Sequence, residues 1–319
     1  MTAQVETRGL SRWYGPILAV QDVDLALGPG VWGLLGPNGS GKSTLLSILA
    51  GQMRPSKGDV RVLGQRPWQN PALFARVGLC PEHDALYDDL TGRELCALLL
   101  ELHGYGRAEA DTRAVSALCE VGLDDSMDRA VGGYSRGMRQ RVKIAQAFAH
   151  DPEVLLLDEP LAGTDPLSRA KVIERIRARG AAGGCVIVSS HVLHEVEAMT
   201  DRIALILKGR LIAEGNLYSL RDLLEDHPHQ IRIECSDPRA LARTLVGLPA
   251  VLAVRFVDEL GLEIHTRQPG VCYREVPRRA RDAKIQIRAL TSPDATLEAV
   301  FRYLVEGKHT KELTAGPPR

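Results

Sequence analysis

The residues Gly36-Pro37-Asn38-Gly39-Ser40-Gly41-Lys42-Ser43-Thr44 bring glycines, hydroxyls and one lysine into a single short stretch. Their spacing, Gly, four residues, then Gly-Lys-Ser, is that of a loop that holds phosphate. The glycines let the backbone curl until several N–H groups point at one anion. A helix starting there adds the positive end of its dipole. Lys42 is expected to reach terminal phosphates, and the Ser43 hydroxyl to hold Mg²⁺. Such a loop by itself indicates only a nucleotide. A second cluster, Leu155-Leu156-Leu157-Asp158-Glu159, adds chemistry. Asp158, delivered at the end of a buried strand, is a second group for Mg²⁺, bound directly or through water. Glu159 is placed to polarise an attacking water.

These groups need elements to position them. The run Val31-Trp32-Gly33-Leu34-Leu35 reads as a buried strand entering the loop, and Thr44 to Ala50 as the helix leaving it. Val154 to Leu157 is a fully apolar strand. Other strands are expected at Val5–Thr7, Val20–Leu27, Asp59–Leu63, Arg76–Cys80 and Cys185–Ser189, with a hairpin of Ile203–Leu207 and Arg210–Ala213 around Lys208-Gly209. In Val20–Leu27, Val23, Leu25 and Leu27 share one face. Thr91-Gly92-Arg93-Glu94 fits a capping box that starts a helix to about His103, and a second helix spans about Ala108 to Val121. An amphipathic helix follows Gly132–Arg141 and runs to about Ala149. Pro166–Arg179 is a helix with Asp165 as its N-cap, and His191–Thr200 another. Strands alternating with helices imply a mostly parallel, layered α/β domain, here with a helical subdomain over about 91–150.

After about Leu217 the pattern changes. Helices are expected at Ser219–Glu225, Asp237–Val246 and Pro293–Val305, strands at Gln230–Cys235, Val251–Val257 and Lys284–Arg288, with His227-Pro228-His229 as a linker. The organisation read from this is a first domain over 1–216, a small α+β domain over 217–306, and a frayed tail over 307–319.

Lys+Arg and Asp+Glu are 40 each, so the net charge is zero, which argues against a general nucleic-acid binder. No apolar run approaches the ~20 residues needed to cross a bilayer. Met1–Glu6 lacks the basic start and apolar core of a secretory signal. The expectation is a cytoplasmic chain that meets a membrane only through a partner. The six cysteines are scattered, with no Cys-x-x-Cys pair, and read as reduced, small buried hydrophobes.

Taken together, the motifs over Val5 to Gly215 resemble the nucleotide-binding subunits of ABC transporters. Gly36–Thr44 is similar to the Walker A loop of that family, and Asp158 and Glu159 to its Walker B aspartate and catalytic glutamate. The resemblance implies further roles. Tyr14 looks like the aromatic that stacks on adenine. Glu82, in Cys80-Pro81-Glu82-His83-Asp84, stands where the family usually has the Q-loop glutamine, which contacts Mg²⁺ or the attacking water. Tyr134–Met138 stands at the Leu-Ser-Gly-Gly-Gln signature, with Arg136 in place of its first glycine and Met138 in place of its glutamine. Ser135 and Gly137 are then expected to face the γ-phosphate of ATP held by an opposite subunit. Gly163-Thr164-Asp165 matches the D-loop, and His191 the switch histidine, a γ-phosphate contact.

The implied fold is a P-loop ABC-type ATPase core with an inserted helical subdomain. The implied activity is hydrolysis of ATP with Mg²⁺ by a head-to-tail pair of subunits. The second subunit is expected to be another copy of this chain, with a different ATPase subunit as the alternative, and the other partner a transmembrane permease. The stretch Val77–Glu94 resembles the daunorubicin-resistance type of bacterial exporter subunit and the lipid-exporting A subfamily of eukaryotes. There this region receives the membrane subunit, which makes Leu86, Tyr87 and Leu90 candidates for a docking groove. Residues that merely pack the helical subdomain are the alternative. The location implied is the inner face of the cell membrane. Rival readings are a DNA-maintenance ABC ATPase, which needs a long coiled coil where this chain has no sustained heptads; a translation-type protein, which carries two cassettes; and an importer subunit, against which the context of Glu82 speaks.

Overall fold

The structure is a computed structural model that describes residues 3–216, 228–293 and 298. It divides into two units, Met1–Asn216 and Leu217–Arg319. The first unit opens with strands β1 (Val5–Tyr14), β2 (Ile17–Leu27) and β3 (Gly30–Leu35), then helix α1 (Lys42–Leu49) and strand β4 (Lys57–Val62). Helix α2 (Pro71–Phe74) and strand β5 (Val77–Cys80) lead to helices α3 (Gly92–Leu102), α4 (Arg107–Glu120) and α5 (Arg136–Phe148). Strand β6 (Val154–Asp158), helix α6 (Pro166–Ala181), strand β7 (Cys185–Ser190), helix α7 (Leu193–Glu197) and strands β8 (Arg202–Leu207) and β9 (Arg210–Asn216) complete it.

The central sheet has the order β5-β6-β7-β3-β8-β9, and every neighbouring pair is parallel except β8 with β9. Its inner strands β6 and β7 are buried along their whole length and apolar up to their last one or two residues, because both faces are covered. Alternation then sends Leu155 and Leu157 into one core, with the helices α3 to α6, and Val154 and Leu156 into another, with α1. The second core also holds Val23, Leu25 and Leu27 from a three-stranded antiparallel sheet, order β2-β1-β4. The expected capping box is present at α3: Thr91 Oγ1 accepts from the Glu94 N–H, and the Glu94 carboxylate accepts from the Thr91 N–H. Arg93 pairs with Asp111 at 2.6 Å and ties α3 to α4.

The second unit contains strand β10 (His229–Cys235), helix α8 (Pro238–Leu245), strands β11 (Val251–Phe256) and β12 (Gly261–Thr266), helix α9 (Pro269–Asp282) and strand β13 (Ile287–Thr291). The sheet order β11-β12-β10-β13 makes this a split βαβ arrangement. Leu241, Leu245, Cys272 and Val276 of the helices pack on Ile231, Ile233, Leu262 and Ile264 of the sheet.

Several elements depart from the sequence reading. Strand β1 continues through Tyr14, because Arg12, Trp13 and Tyr14 pair with Val20, Leu18 and Ile17 across a tight turn. Helix α7 begins at Leu193, so His191 sits in the bend before it and not in its first turn. His229 belongs to β10 and not to a linker, and the last strand is shifted to β13. Helix α2, strand β12 and helix α9 were not expected; α9 carries Pro277 inside it, which breaks the usual helical signature. Cys119 is exposed, unlike the other cysteines, and all six are free thiols. The helices expected at Ser219–Glu225 and Pro293–Val305, apart from Pro293 and Glu298, and the tail lie outside the described residues. No helix among the described residues is long and apolar enough to cross a membrane.

Candidate active site

Strand β3 ends at Leu35 and the glycine-rich loop follows at once. Gly41, at the N-cap of α1, has φ of 106°, which only glycine adopts freely, and a Cβ there would run into the Ala19 carbonyl. Gly36 is equally closed in by the Ile206 carbonyl and by Ser40. Lys42 is buried and donates from Nζ to the carbonyls of Gly36 at 2.7 Å and Pro37 at 3.2 Å. Burial holds its pKa below the ordinary lysine value, against the opposing pull of Glu159, Asp158 and Glu82.

A cleft of about 420 Å³ opens over this loop. Asn38, Gly39, Ser40, Gly41, Lys42, Ser43 and Thr44 line one side, and Glu82, Asp158 and Glu159 line the other, with Ala19 from β2. The parallel register explains the meeting: Asp158 at the end of β6 pairs with Ser189 of β7, and Leu35 pairs with Ser190. Asp158 is buried and accepts a hydrogen bond from Ser189 Oγ. The same Oγ accepts from the Glu159 N–H at 3.0 Å. Glu159 sits at a φ of 48°, in the left-handed region that non-glycine residues rarely adopt. Its Oε1 lies 2.9 Å from His191 Nδ1, with the glutamate side chain 10% exposed and the histidine 51%.

The remaining sequence-derived residues lie elsewhere in the unit. Tyr14 is at the end of β1, outside the lining of the cleft; its hydroxyl donates to Met53 Sδ at 3.1 Å, and the Arg12 guanidinium lies 5.1 Å from its ring centre. Ser135 caps α5 by accepting from the Met138 N–H at 3.3 Å and is exposed. Gly137 abuts the Gly163 carbonyl, so the head of α5 rests on the loop that ends at Asp165, the N-cap of α6. Neither Ser135 nor Gly137 lines the cleft. Gly36 and Pro37 enter through their carbonyls, which hold Lys42.

Sequence reasoning missed three contributors. Ser189 is one; its place as a polar residue at the end of an apolar strand was the available signal. Gln140 is another: it is buried in α5 and donates to the Glu159 and Pro160 carbonyls at 3.4 and 3.0 Å. Ala19 is the third, and nothing in its type marks it.

The donor set suits a phosphate and a hard cation. Ser40 is buried and its Oγ has no hydrogen-bond partner among the described residues, an orphaned donor inside a phosphate-type loop. Among the described residues no three His, Cys, Asp or Glu gather into a metal cage. Oxygen groups on Ser43, Asp158 and Glu82 are what Mg²⁺ takes when it binds mainly through phosphates.

The sequence pattern of the family described as "ABC transporter" matches residues 20–162. The chain is 34% identical over 303 residues to the daunorubicin/doxorubicin resistance ATP-binding protein DrrA of Streptomyces peucetius, covering 94% of this chain and 92% of that one. It is 37% identical over 243 residues to the Nod factor export ATP-binding protein I of Burkholderia orbicola, covering 75% and 79%. It is 30% identical over 306 residues to ATP-binding cassette sub-family A member 7 of Rattus norvegicus, covering 93% of this chain and 14% of that protein. Among solved structures, an ATP-binding subunit of an ABC transporter matches with TM-score 0.64 and 30% identity, over 69% of this chain and 92% of that one. A dimeric ATP-binding cassette bound to ADP and phosphate shares the fold, with TM-score 0.61 and 24% identity over 66% and 98%.

Proposed function

The chain belongs to the ABC transporter family of ATP-binding subunits and is an ATPase of that type, and on that premise we propose that it powers an exporter through a separate transmembrane subunit. The observation that carries the proposal is the convergence of the Gly36–Thr44 loop, Asp158 and Glu159 on one cleft, with Glu159 held 2.9 Å from His191. Lys42 and the loop N–H groups bind the phosphates of ATP. Ser43, Asp158 and Glu82 would hold Mg²⁺, which when bound offsets charge on the phosphates. Glu159 polarises the attacking water, and His191 orients Glu159 and contacts the γ-phosphate. Tyr14 stacks on adenine. Ser135 and Gly137 act on the nucleotide of a second subunit, a further copy of this chain or a different ATPase subunit. That second half-site is supported by the exposure of Ser135 at the head of α5, with Gly137 half-buried beside it, both away from this chain's own cleft.

ATP binding closes the pair, closure moves the membrane partner, and hydrolysis resets it. The export direction is supported by the relatives named for drug resistance and Nod factor export. Leu86 and Leu90 are half-buried against the helical subdomain, while Tyr87 is 62% exposed, which leaves Tyr87 as the residue for docking. The first unit is the ATPase domain, the second an accessory domain, and the chain works on the inner face of the membrane through its partner. The test is to express the tagged full chain in its native cell. It should fractionate with membranes, purify in detergent with a polytopic membrane protein, and hydrolyse ATP faster in that complex than alone. A chain found only in the soluble fraction, with turnover indifferent to membrane proteins, overturns the proposal.

A further inference from the structure

Strand β5 leaves the sheet at Cys80, its last residue paired with β6. The segment that follows, Pro81 to Asp84, carries Glu82 to the cleft and has no strand to hold it. Helix α5 holds it instead. Lys143 Nζ donates to the carbonyls of Pro81 at 3.1 Å and Glu82 at 2.8 Å, and lies 2.9 Å from Asp84 Oδ1. Arg139, one turn earlier, binds Asp84 at 3.0 Å and Asp88 at 2.7 Å. Gln146, one turn later, donates to the Leu79 carbonyl at 2.9 Å. These positions share one stripe of the helix.

The Lys143 side chain is only 2% exposed, yet its three N–H donors meet three acceptors. Burial alone would raise the Asp84 pKa, but hydrogen bonds from Lys143 and Arg139 outweigh it and hold the carboxyl below its usual value. The ammonium is buried but the Asp84 side chain is 40% exposed, and an ion pair with one partner in solvent adds little net stability. What the ammonium contributes is therefore geometry. It fixes the backbone from which the Glu82 side chain starts.

We infer that Lys143 is a positioning residue for ATP hydrolysis. It clamps the Glu82 loop to α5, so that the Glu82 carboxylate, the docking segment from Asp84 to Asp88 and the Ser135 end of α5 move as one body. The inference rests on the role proposed above for Glu82. Through Gln140, the same helix grips the carbonyls of Glu159 and Pro160, so two of the three carboxylates lining the cleft, Glu82 and Glu159, are referred to one rod.

The experiment is a double-mutant cycle on the full chain, reading affinity for a fluorescent ATP analogue and steady-state phosphate release. Lys143→Met should leave affinity within ~2-fold and lower kcat ~10-fold, because the loop shifts while the phosphate cradle stays. In a Glu82→Ala background the same change should add no further loss, since nothing remains to position. An equal loss in both backgrounds, or a loss in affinity in place of kcat, shows a merely structural lysine and overturns the inference alone. Glu82→Ala with undiminished turnover overturns the role of Glu82 and the inference with it. Asp84→Asn is the milder second variant should Lys143→Met fail to fold. It should cost ~3-fold in kcat by the same route and nothing in the Glu82→Ala background; an equal loss in both overturns the inference.

Discussion

Glu159→Gln isolates the chemistry of the cleft from its architecture. The change removes a negative charge and keeps the size of the side chain. Its backbone is pinned by two contacts to Ser189, to the carbonyl at 3.2 Å and to Oγ at 3.0 Å, and neither involves the side chain. The carboxylate is 10% exposed and, among the described residues, its hydrogen-bond partner is His191 at 2.9 Å, a bond an amide oxygen can keep. The loop should not relax, and the melting temperature should move by less than ~2 °C, since ~1 kcal/mol corresponds to ~2–4 °C in a unit of this size. General-base assistance is worth ~10²–10⁴-fold. Loss of that assistance should drop kcat by ~10²–10³, about 3–4 kcal/mol of barrier. Affinity for ATP should stay within ~3-fold, because Lys42 and the loop are untouched. The assay pairs phosphate release with equilibrium binding of a fluorescent ATP analogue. Size-exclusion chromatography with ATP should show the variant accumulating as a dimer, since a nucleotide that is not hydrolysed keeps the two half-sites together. Turnover within ~3-fold of the parent would mean that water is activated elsewhere, and the role assigned to Glu159 would fall.

Lys42→Ala should weaken ATP binding by at least ~100-fold, from the loss of charge-assisted bonds worth ~1.5–3 kcal/mol each; unchanged affinity in the same binding assay rejects the phosphate role of the loop. Tyr87→Glu should leave ATPase activity and melting temperature unchanged, because an exposed ring has no core to lose, but should abolish stimulation by the membrane subunit; retained stimulation moves docking to another surface. His150 is lowered to about 4, first by burial and then by the stacked ring of His103 4.1 Å away. Its folded value lies below the unfolded one, so its contribution is complete above ~pH 6.5 and is lost as acid reaches ~pH 4, at up to ~1.4 kcal/mol per pH unit. His150→Gln keeps a donor for the Val77 carbonyl, and its melting temperature should fall ~4–8 °C less than that of the parent between pH 7 and pH 5; parallel curves refute the assignment.

What the sequence disclosed, and what it hid, divides by the range of the interaction. Thr91 and Glu94 form their capping box, and Asp165 caps α6, because those bonds close within a few residues. The strands of the central sheet were legible because burial on both faces leaves only apolar side chains. Tyr14 was misplaced relative to its strand because the β1–β2 turn depends on cross-strand pairing. Helix α9 was hidden by Pro277, an apparent breaker tolerated where Cys272 and Val276 anchor the helix in the second core. Lys143 and Gln140 read as ordinary polar positions on an amphipathic helix. Their partners lie 61 and 19 residues away, and no local pattern encodes that separation.

The location of the site follows from the sheet topology more than from any single motif. Parallel strands end on the same edge, and each chemical group comes at such an end or within two residues after it. Gly36 follows β3, Glu82 follows β5 by two residues, Asp158 closes β6, and His191 follows β7. The pairings Cys80 with Leu157, Asp158 with Ser189 and Leu35 with Ser190 keep those ends within one register step. A residue inserted in β6 would therefore do more than move Asp158. A one-residue slip exchanges the faces of Val154, Leu155, Leu156 and Leu157, and both cores would receive the wrong side chains. Register is enforced by apolar packing on both faces, and the placement of the carboxylates is inherited from it. Helix α5 then supplies what the sheet cannot, because Glu82 lies beyond the last paired residue of β5 and depends on Lys143 for its place.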